Sequence, residues 1–176
     1  MKLVGIVGTN ADFSLNRKLL QFMQKHFASQ AEIEILEIKD LEAFLDPNQA
    51  PSQNVKTFSD KIKAADGVII STPEYDHTIP APLASALEWL SQTQALKFKK
   101  VLVTGASYGM LGTLRAQEHL FQILHSPSLS AITMPGKEFL LRRASEAFDD
   151  NGNLKDANVQ AELDAYFAEF ISFINA

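Results

Sequence analysis

The chain has 176 residues, with 16 Lys and Arg against 21 Asp and Glu for a formal charge of −5, 46% hydrophobic residues and no cysteine. That length suits one domain with a sizeable buried core, and the composition excludes disordered, collagenous and coiled-coil classes. The acidic balance argues against a nucleic-acid partner, which needs a concentrated basic face, and the lack of cysteine excludes disulfides, thiolate metal sites and thiol catalysis.

The run Lys2 to Val7 is nearly continuous apolar, as a strand buried on both faces must be. It is too short for a signal-peptide core or a membrane span, so a cytoplasmic location is expected. It leads into Gly8-Thr9-Asn10-Ala11-Asp12-Phe13-Ser14-Leu15-Asn16. Thr9, Asn10, Ser14 and Asn16 offer hydroxyl and amide groups beside the free N–H groups of a helix start, which makes a phosphate seat without Lys or Arg. Ser14 could equally serve as a plain helix cap. Leu19, Leu20, Met23 and Phe27 then recur at helical spacing, with His26 placed to meet the negative end of the helix dipole. Glu32 to Ile38 alternates polar and apolar residues, which predicts an edge strand. The connection from Lys39 to about Asn54, with Pro47 and Pro51, is long enough to be a lid or an interface.

Phe58, Ile62 and Ala65 predict a second helix, and Gly67 to Ser71 a second fully buried strand. The following loop, Ser71-Thr72-Pro73-Glu74-Tyr75-Asp76-His77-Thr78-Ile79-Pro80, is stiffened by two prolines. It either presents Tyr75 to a flat heteroaromatic ligand or is purely structural. Pro80 opens a helix striped by Leu83, Leu87 and Leu90. Lys97, Lys99 and Lys100 mark a solvated strand entrance, and Val101 to Thr104 is the strand.

Gly105-Ala106-Ser107-Tyr108-Gly109 fits the G-x-S-x-G nucleophile elbow in its strand–turn–helix setting. A hydrolase would also need an acid and then a histidine further on, yet the only later histidines are His119 and His125, on the next helix, and the only acid before them is Glu118. Adjacent residues there diverge by about 100° and cannot orient one another. The rival reading is a glycine-rich loop that lets backbone approach a planar ring. Leu114, Leu120, Ile123 and Leu124 stripe the next helix, Ala131 to Met134 predicts a fifth strand, and Val159, Leu163, Tyr166, Phe167, Phe170, Ile171 and Ile174 stripe the last helix. A second long connection runs from Pro135 to about Lys155. The four histidines are scattered without metal-ligand spacing. Strands alternating with helices predict right-handed βαβ units and a parallel α/β sheet in a single domain over residues 1–176, with ligands at the carboxyl ends of the strands.

Three loops in this order resemble those of the NADPH-dependent FMN reductase family of flavodoxin-like quinone and azo reductases. The residues that carry the resemblance are Gly8-Thr9, Ser14 and Asn16; then Pro73-Glu74-Tyr75-Asp76, Thr78, Pro80, Leu83, Ala86, Glu88 and Trp89; then Gly105, Ser107, Gly109, Gly112, Arg115-Ala116-Gln117 and Leu120, with Phe148 to Leu154 leading into the last helix. The resemblance implies a flavodoxin-like three-layer sandwich with a five-stranded parallel sheet of order 2-1-3-4-5. It implies bound FMN, with NADPH or NADH as donor and a quinone, azo compound, flavin or metal ion as acceptor. A flavodoxin-like electron carrier or flavin sensor is the alternative, and a scaffold that has lost flavin a third reading. Thr9, Ser14, Leu15 and Asn16 would hold the phosphate. Pro73, Glu74, Tyr75, Asp76, His77 and Thr78 would pack on the isoalloxazine ring, and Ser107, Gly109 and Gly112 would meet its other edge. Flavin N5 would carry the hydride, with no catalytic side chain. A homodimer or dimer of dimers is implied, with the helix bearing Trp89 in its interface. Arg115 reads as structural. Ala11 stands where the family often has Arg. Asp76 stands for Asn, putting a carboxylate where it would disfavour an anionic reduced flavin. Ala81 and Thr113 each stand for a Gly.

Overall fold

The computed structural model describes residues 1–176. Its elements are β1 (Lys2–Val7), α1 (Leu15–His26), β2 (Glu32–Glu37), α2 (Gln53–Ala64), β3 (Gly67–Ser71), α3 (Ala81–Thr93), β4 (Lys100–Ala106), α4 (Leu114–Leu124), β5 (Ile132–Thr133), β6 (Phe139–Leu141), α5 (Ala144–Ala147) and α6 (Ala157–Asn175). The sheet is parallel with order β2-β1-β3-β4-β5, so the alternating β2 is an edge, as its pattern predicts. Side chains of β1 alternate between the two faces. Leu3 and Val7 join Leu19, Met23, Phe27, Phe167 and Phe170 on the α1/α6 side. Val4 and Ile6 join Phe58, Ile62, Leu83, Leu87, Leu90 and Leu120 on the α2/α3/α4 side. Two buried clusters, one per face, are what a doubly wound sheet requires. No helix is long and apolar enough to cross a membrane.

The fifth strand departs from expectation. Of Ala131 to Met134 only Ile132–Thr133 forms strand, paired with Lys100 and Val101. Pro135 and Gly136 (φ 105°) then turn the chain out of the ladder, because proline has no N–H to give it. The chain returns as β6, which the sequence reading placed inside a loop, and pairs with Thr104 to Ala106 further along the same edge of β4. Two short strands thus serve one long one, and β6 backs the loop that leaves β4.

The first long connection lies over α3. Trp89 Nε1 donates to Glu42 O at 2.8 Å, Phe44 N donates to Ser85 Oγ at 2.8 Å, and the Phe44 ring meets Trp89 edge-on. Trp89 is therefore buried by its own chain. Glu42 also holds Ser52, the N-cap of α2, through Ser52 Oγ (2.7 Å) and Ser52 N (3.1 Å). The Ser52 hydroxyl bond holds the Glu42 carboxyl below its ordinary value of 4.5. A depressed folded value contributes stability that is complete above the ordinary carboxyl range and is lost as pH falls through the folded value. The urea-midpoint difference between wild type and Glu42→Gln should accordingly be constant above pH ~5 and close below it; a difference independent of pH would refute this.

His26, expected to meet the helix dipole, is paired instead with Asp164 of α6 (Nε2 to Oδ1, 2.6 Å) and stacked on Phe22, so it joins two helices on one face.

Candidate active site

Three loops converge at the carboxyl ends of β1, β3 and β4. The loop after β1 is shaped by Arg17, a residue the sequence reading passed over. Its guanidinium forks onto Glu37 at the end of β2 (Nε to Oε1 2.6 Å, NH2 to Oε2 2.8 Å). The same group donates to the carbonyls of Ala11 (3.1 Å) and Asp12 (2.8 Å). The Glu37 bond raises the Arg17 pKa, so the cation is fixed at every working pH. With those carbonyls drawn toward Arg17, the loop keeps its hydroxyl groups and the first-turn N–H groups of α1 for the cavity. Ser14 is the α1 N-cap, accepting from Arg17 N at 3.1 Å, and its own hydroxyl proton remains available. Cap and ligand donor are compatible roles for it.

Asn16 is buried, and both the oxygen and the nitrogen of its amide are engaged. Oδ1 accepts from Ser71 Oγ and Ala106 N, each at 2.9 Å, and Nδ2 donates to Ala106 O at 3.0 Å. It clamps α1 to the ends of β3 and β4. Its side chain therefore positions the site, and the backbone N–H and the second Nδ2 hydrogen are what it has left for a ligand.

The loop after β3 closes in a two-residue hairpin in which Tyr75 and Thr78 exchange backbone bonds at 3.0 Å. Asp76 (φ 50°) and His77 (φ 64°) form its apex, both left-handed, the type I′ geometry that favours Asn-Gly. Asp and His are among the few non-glycine residues that tolerate it. Their N–H groups are left without protein acceptors. The loop is welded to α4. Glu74 Oε2 accepts from Arg115 N (3.1 Å) and Ala116 N (3.3 Å), capping a helix whose own N-cap, Thr113, makes no side-chain bond. Arg115 NH1 meets His77 Nδ1 at 2.9 Å, and Thr78 Oγ1 meets His119 Nδ1. Arg115 thus bonds across the loop and does not line the cavity between the loops.

In the loop after β4, Gly105 lies against Thr113, and a Cβ there would stand 1.8 Å from Thr113 Oγ1. Thr113 takes a left-handed conformation (φ 72°) where the family often has glycine, and its hydroxyl accepts from Gln117 Nε2 at 3.1 Å. Gly112 (φ 57°) packs on β6, where a Cβ would meet Leu140 at 2.6 Å. Ser107 Oγ bonds only Gly109 O (3.3 Å), while His119 and His125 are tied to Thr78 and Thr133, so no hydrolase dyad forms.

Between the loops lies a cavity of about 410 Å³, within the range of small-molecule and cofactor sites. Of the expected residues, Thr9, Ser14, Leu15, Asn16, Pro73, Glu74, Tyr75, Ser107 and Gly109 line it. Asp76, His77, Thr78 and Gly112 do not: the first three sit on the hairpin apex or face α4, and Gly112 faces β6. Asp76 is exposed there, and water screening weakens any effect on the charge of a ligand in the cavity. Phe13, Tyr108, Met110 and Leu111 line it too, all exposed. Of these the sequence reading weighed only Tyr108, since apolar side chains in a loop carry no periodic signal. No Lys or Arg lines the cavity, and its one charged residue, Glu74, is spent on α4. Its wall thus combines Thr9, Ser14 and the free amides of Leu15 and Asn16 with Pro73 and aromatic and thioether groups. This fits a flat apolar ring with a phosphate tail, and so fits FMN.

A flavodoxin-like sheet with such a cavity at its switch point belongs to the class of flavin-dependent oxidoreductases. The NADPH-dependent FMN reductase family matches residues 1–146, and the chain belongs to that family. It is 57% identical to the NADH:(hydroxy)cinnamate reductase subunit CrdA of Vibrio ruber, over 98% of this chain and 87% of that one. It is 48% identical to the NADH-dependent flavin reductase subunit 2 of Lactobacillus johnsonii, over 99% and 97%. Among solved structures, the flavoenzyme NAD(P)H:(acceptor) oxidoreductase FerB of Paracoccus denitrificans superposes with a TM-score of 0.88 at 28% identity, covering 99% of this chain and 97% of that one. The protein is an FMN-dependent NAD(P)H oxidoreductase acting on a small acceptor, and the electron-carrier alternative is not favoured.

Proposed function

We propose that residues 1–176 form a single FMN-binding domain that oxidises NADH and delivers two electrons to a flavin, a quinone or an unsaturated aromatic acid, as one subunit of an assembly. The observation that carries this reading is the make-up of the cavity wall, which sets uncharged donors beside exposed aromatic and apolar groups and holds no Lys or Arg. Two relatives named for NADH support the donor, and their names, both including the word subunit, support the assembly. The homodimer implied by the family resemblance is the assembly we propose. The cytoplasm, where the dinucleotide is re-reduced, is the compartment this reading requires.

Bound FMN supplies a flavin ring that accepts a hydride and passes electrons on. The chain contributes binding and orientation. Thr9 Oγ1, the Ser14 hydroxyl and the amides of Leu15 and Asn16 hold the phosphate by hydrogen bonds and helix dipole, with no fixed cation. Pro73, Tyr75, Ser107 and Gly109 bound the ring. The Asp76 and His77 amides lie beyond the cavity wall, so a backbone donor from this loop to the ring would come from Glu74 or Tyr75. The Tyr75 N–H is spent within the hairpin, which leaves the Glu74 N–H as the candidate donor.

The test is anaerobic. Purified protein reconstituted with FMN should lose its visible absorbance on adding NADH and regain it with a quinone. Ser14→Ala should weaken FMN by about 1–3 kcal/mol while leaving riboflavin, which lacks the phosphate, unaffected. Protein that binds no FMN, or equal losses for both flavins, would refute the assignment.

A further inference from the structure

A second cavity, of about 190 Å³, opens beside the first. Its wall includes Arg142, Arg143, Lys155 and the start of α6. The chain has four arginines. Arg17 and Arg115 stand within ion-pair distance of Glu37 and Glu74, whereas Arg142 and Arg143 have no carboxylate partner and both line this cavity. Two carboxylates also border it. Asp156 is committed to capping α6, accepting from Asn158 N at 2.8 Å, and neither it nor Glu146 lies within ion-pair distance of the three cations. Three cationic heads thus line the cavity without a carboxylate partner, and of these Arg143 spends only its Nε, on Met110 Sδ.

The two cavities share a wall. Arg143 N donates to Gly109 O at 3.0 Å, and Arg143 Nε lies 3.1 Å from Met110 Sδ. Gly109 and Met110 both line the first cavity. The first cavity has no cation of its own, while a nicotinamide dinucleotide carries two phosphates joined to the ring it must bring there. Guanidinium forks bind phosphate oxygens in pairs and keep their charge at any working pH. Arg143 (φ 44°) holds a backbone conformation uncommon for its type, and such strain clusters at ligand sites.

We propose that this second cavity receives the pyrophosphate of the reduced dinucleotide, with Arg142, Arg143 and Lys155 as its anion-binding groups. The proposal rests on the reading of the first cavity as the flavin site. An aromatic carboxylate acceptor would offer the same anionic oxygens, so the test separates the two sources. ADP-ribose, the dinucleotide without its nicotinamide, is titrated calorimetrically into FMN-loaded wild type, Arg142→Gln/Arg143→Asn and Lys155→Glu. Asn is chosen at 143 because it tolerates the left-handed conformation. The double variant should bind ADP-ribose at least ~10-fold more weakly and Lys155→Glu at least ~3-fold, with KM for NADH rising in step. KM for reduced nicotinamide mononucleotide, which has no pyrophosphate, should change far less. FMN affinity should stay as in wild type.

Unchanged ADP-ribose binding overturns the proposal. So does loss of 4-hydroxycinnamate binding without loss of ADP-ribose binding, which would give the cavity to the acceptor. Parallel loss of FMN and ADP-ribose also overturns it, since the charges would then act on the whole face. Should the double variant fail to fold, Lys155→Glu, at an exposed position, carries the same test alone. Wild-type protein that binds no FMN while ADP-ribose still follows the charge variants would sink the flavin reading and not this one.

Discussion

Asn16→Ala is expected to be the most damaging single substitution in the site, costing about 3 kcal/mol or more of stability. The reason lies in what would be left behind. Ala106 N and O and Ser71 Oγ each take a bond from the Asn16 amide, and all lie in buried structure. A buried polar group stripped of its partner costs about 1–3 kcal/mol. No neighbouring side chain supplies a substitute, and alanine leaves a cavity at the junction of α1, β3 and β4. For a chain this long the melting temperature should drop by about 6–12 °C, and FMN binding should fail even well below that temperature, because α1 no longer sits at a fixed height over the cavity. Asn16→Asp sharpens the argument. It keeps the acceptor for Ala106 N and Ser71 Oγ but sets a carboxylate oxygen against the Ala106 carbonyl and buries a charge. It should approach the alanine variant in stability and not wild type. Thermal unfolding of the two variants decides the matter, and a shift under about 2 °C for Asn16→Ala would refute the clamp.

Asn16 also shows where sequence reasoning reached and where it stopped. Its position after β1, two residues beyond Ser14, marks it as a site residue, and the structure puts it on the cavity wall. What no single sequence reveals is that Ala106, ninety residues further on, absorbs both ends of its amide. The same holds for Glu74. The loop and its stiffness were legible from Pro73 and Pro80, yet the carboxylate's destination at the start of α4 depends on a tertiary approach between two loops. Local rules did better where the pattern is dense. The continuous apolar runs of β1, β3 and β4 and the alternation of β2 mark the buried strands and the edge, while the order of the sheet came from the family resemblance. The same rules placed β5 but overran its length, since Pro135 breaks the ladder, and they missed β6, only three residues long, which resumes it. Three apolar residues among charged ones carry too little period to name as a strand. The exposed Phe13, Met110 and Leu111 escaped notice for a related reason. Apolar residues in a glycine-containing loop look the same whether they line a cavity or meet solvent.

Arg17→Ala is expected to weaken FMN binding about 10–100-fold while leaving riboflavin affinity near wild type, the loss of about 1.5–3 kcal/mol matching hydrogen bonds to a charged group. The family often places an arginine where this chain has Ala11. Arg17 cannot replace it at the phosphate, because its guanidinium is taken up by Glu37 and by the carbonyls of Ala11 and Asp12. It works from behind the loop. By holding those carbonyls it keeps the N–H groups and the Thr9 and Ser14 hydroxyls facing the cavity, so it is a positioning residue and not a phosphate ligand. Without it the loop must be ordered at the moment FMN binds, and that ordering entropy is subtracted from affinity. Arg17→Lys should recover little, since an ammonium cannot fork onto Glu37 and reach two carbonyls together. Glu37→Gln should be milder, because the amide oxygen still accepts one bond and the carbonyl contacts persist. Fluorescence titration of FMN and riboflavin on each variant separates the explanations. Equal weakening of both flavins would mean that Arg17 supports the fold in general, and an unchanged FMN-to-riboflavin ratio alongside a lowered ratio in Ser14→Ala would leave the phosphate seat intact while removing Arg17 from it.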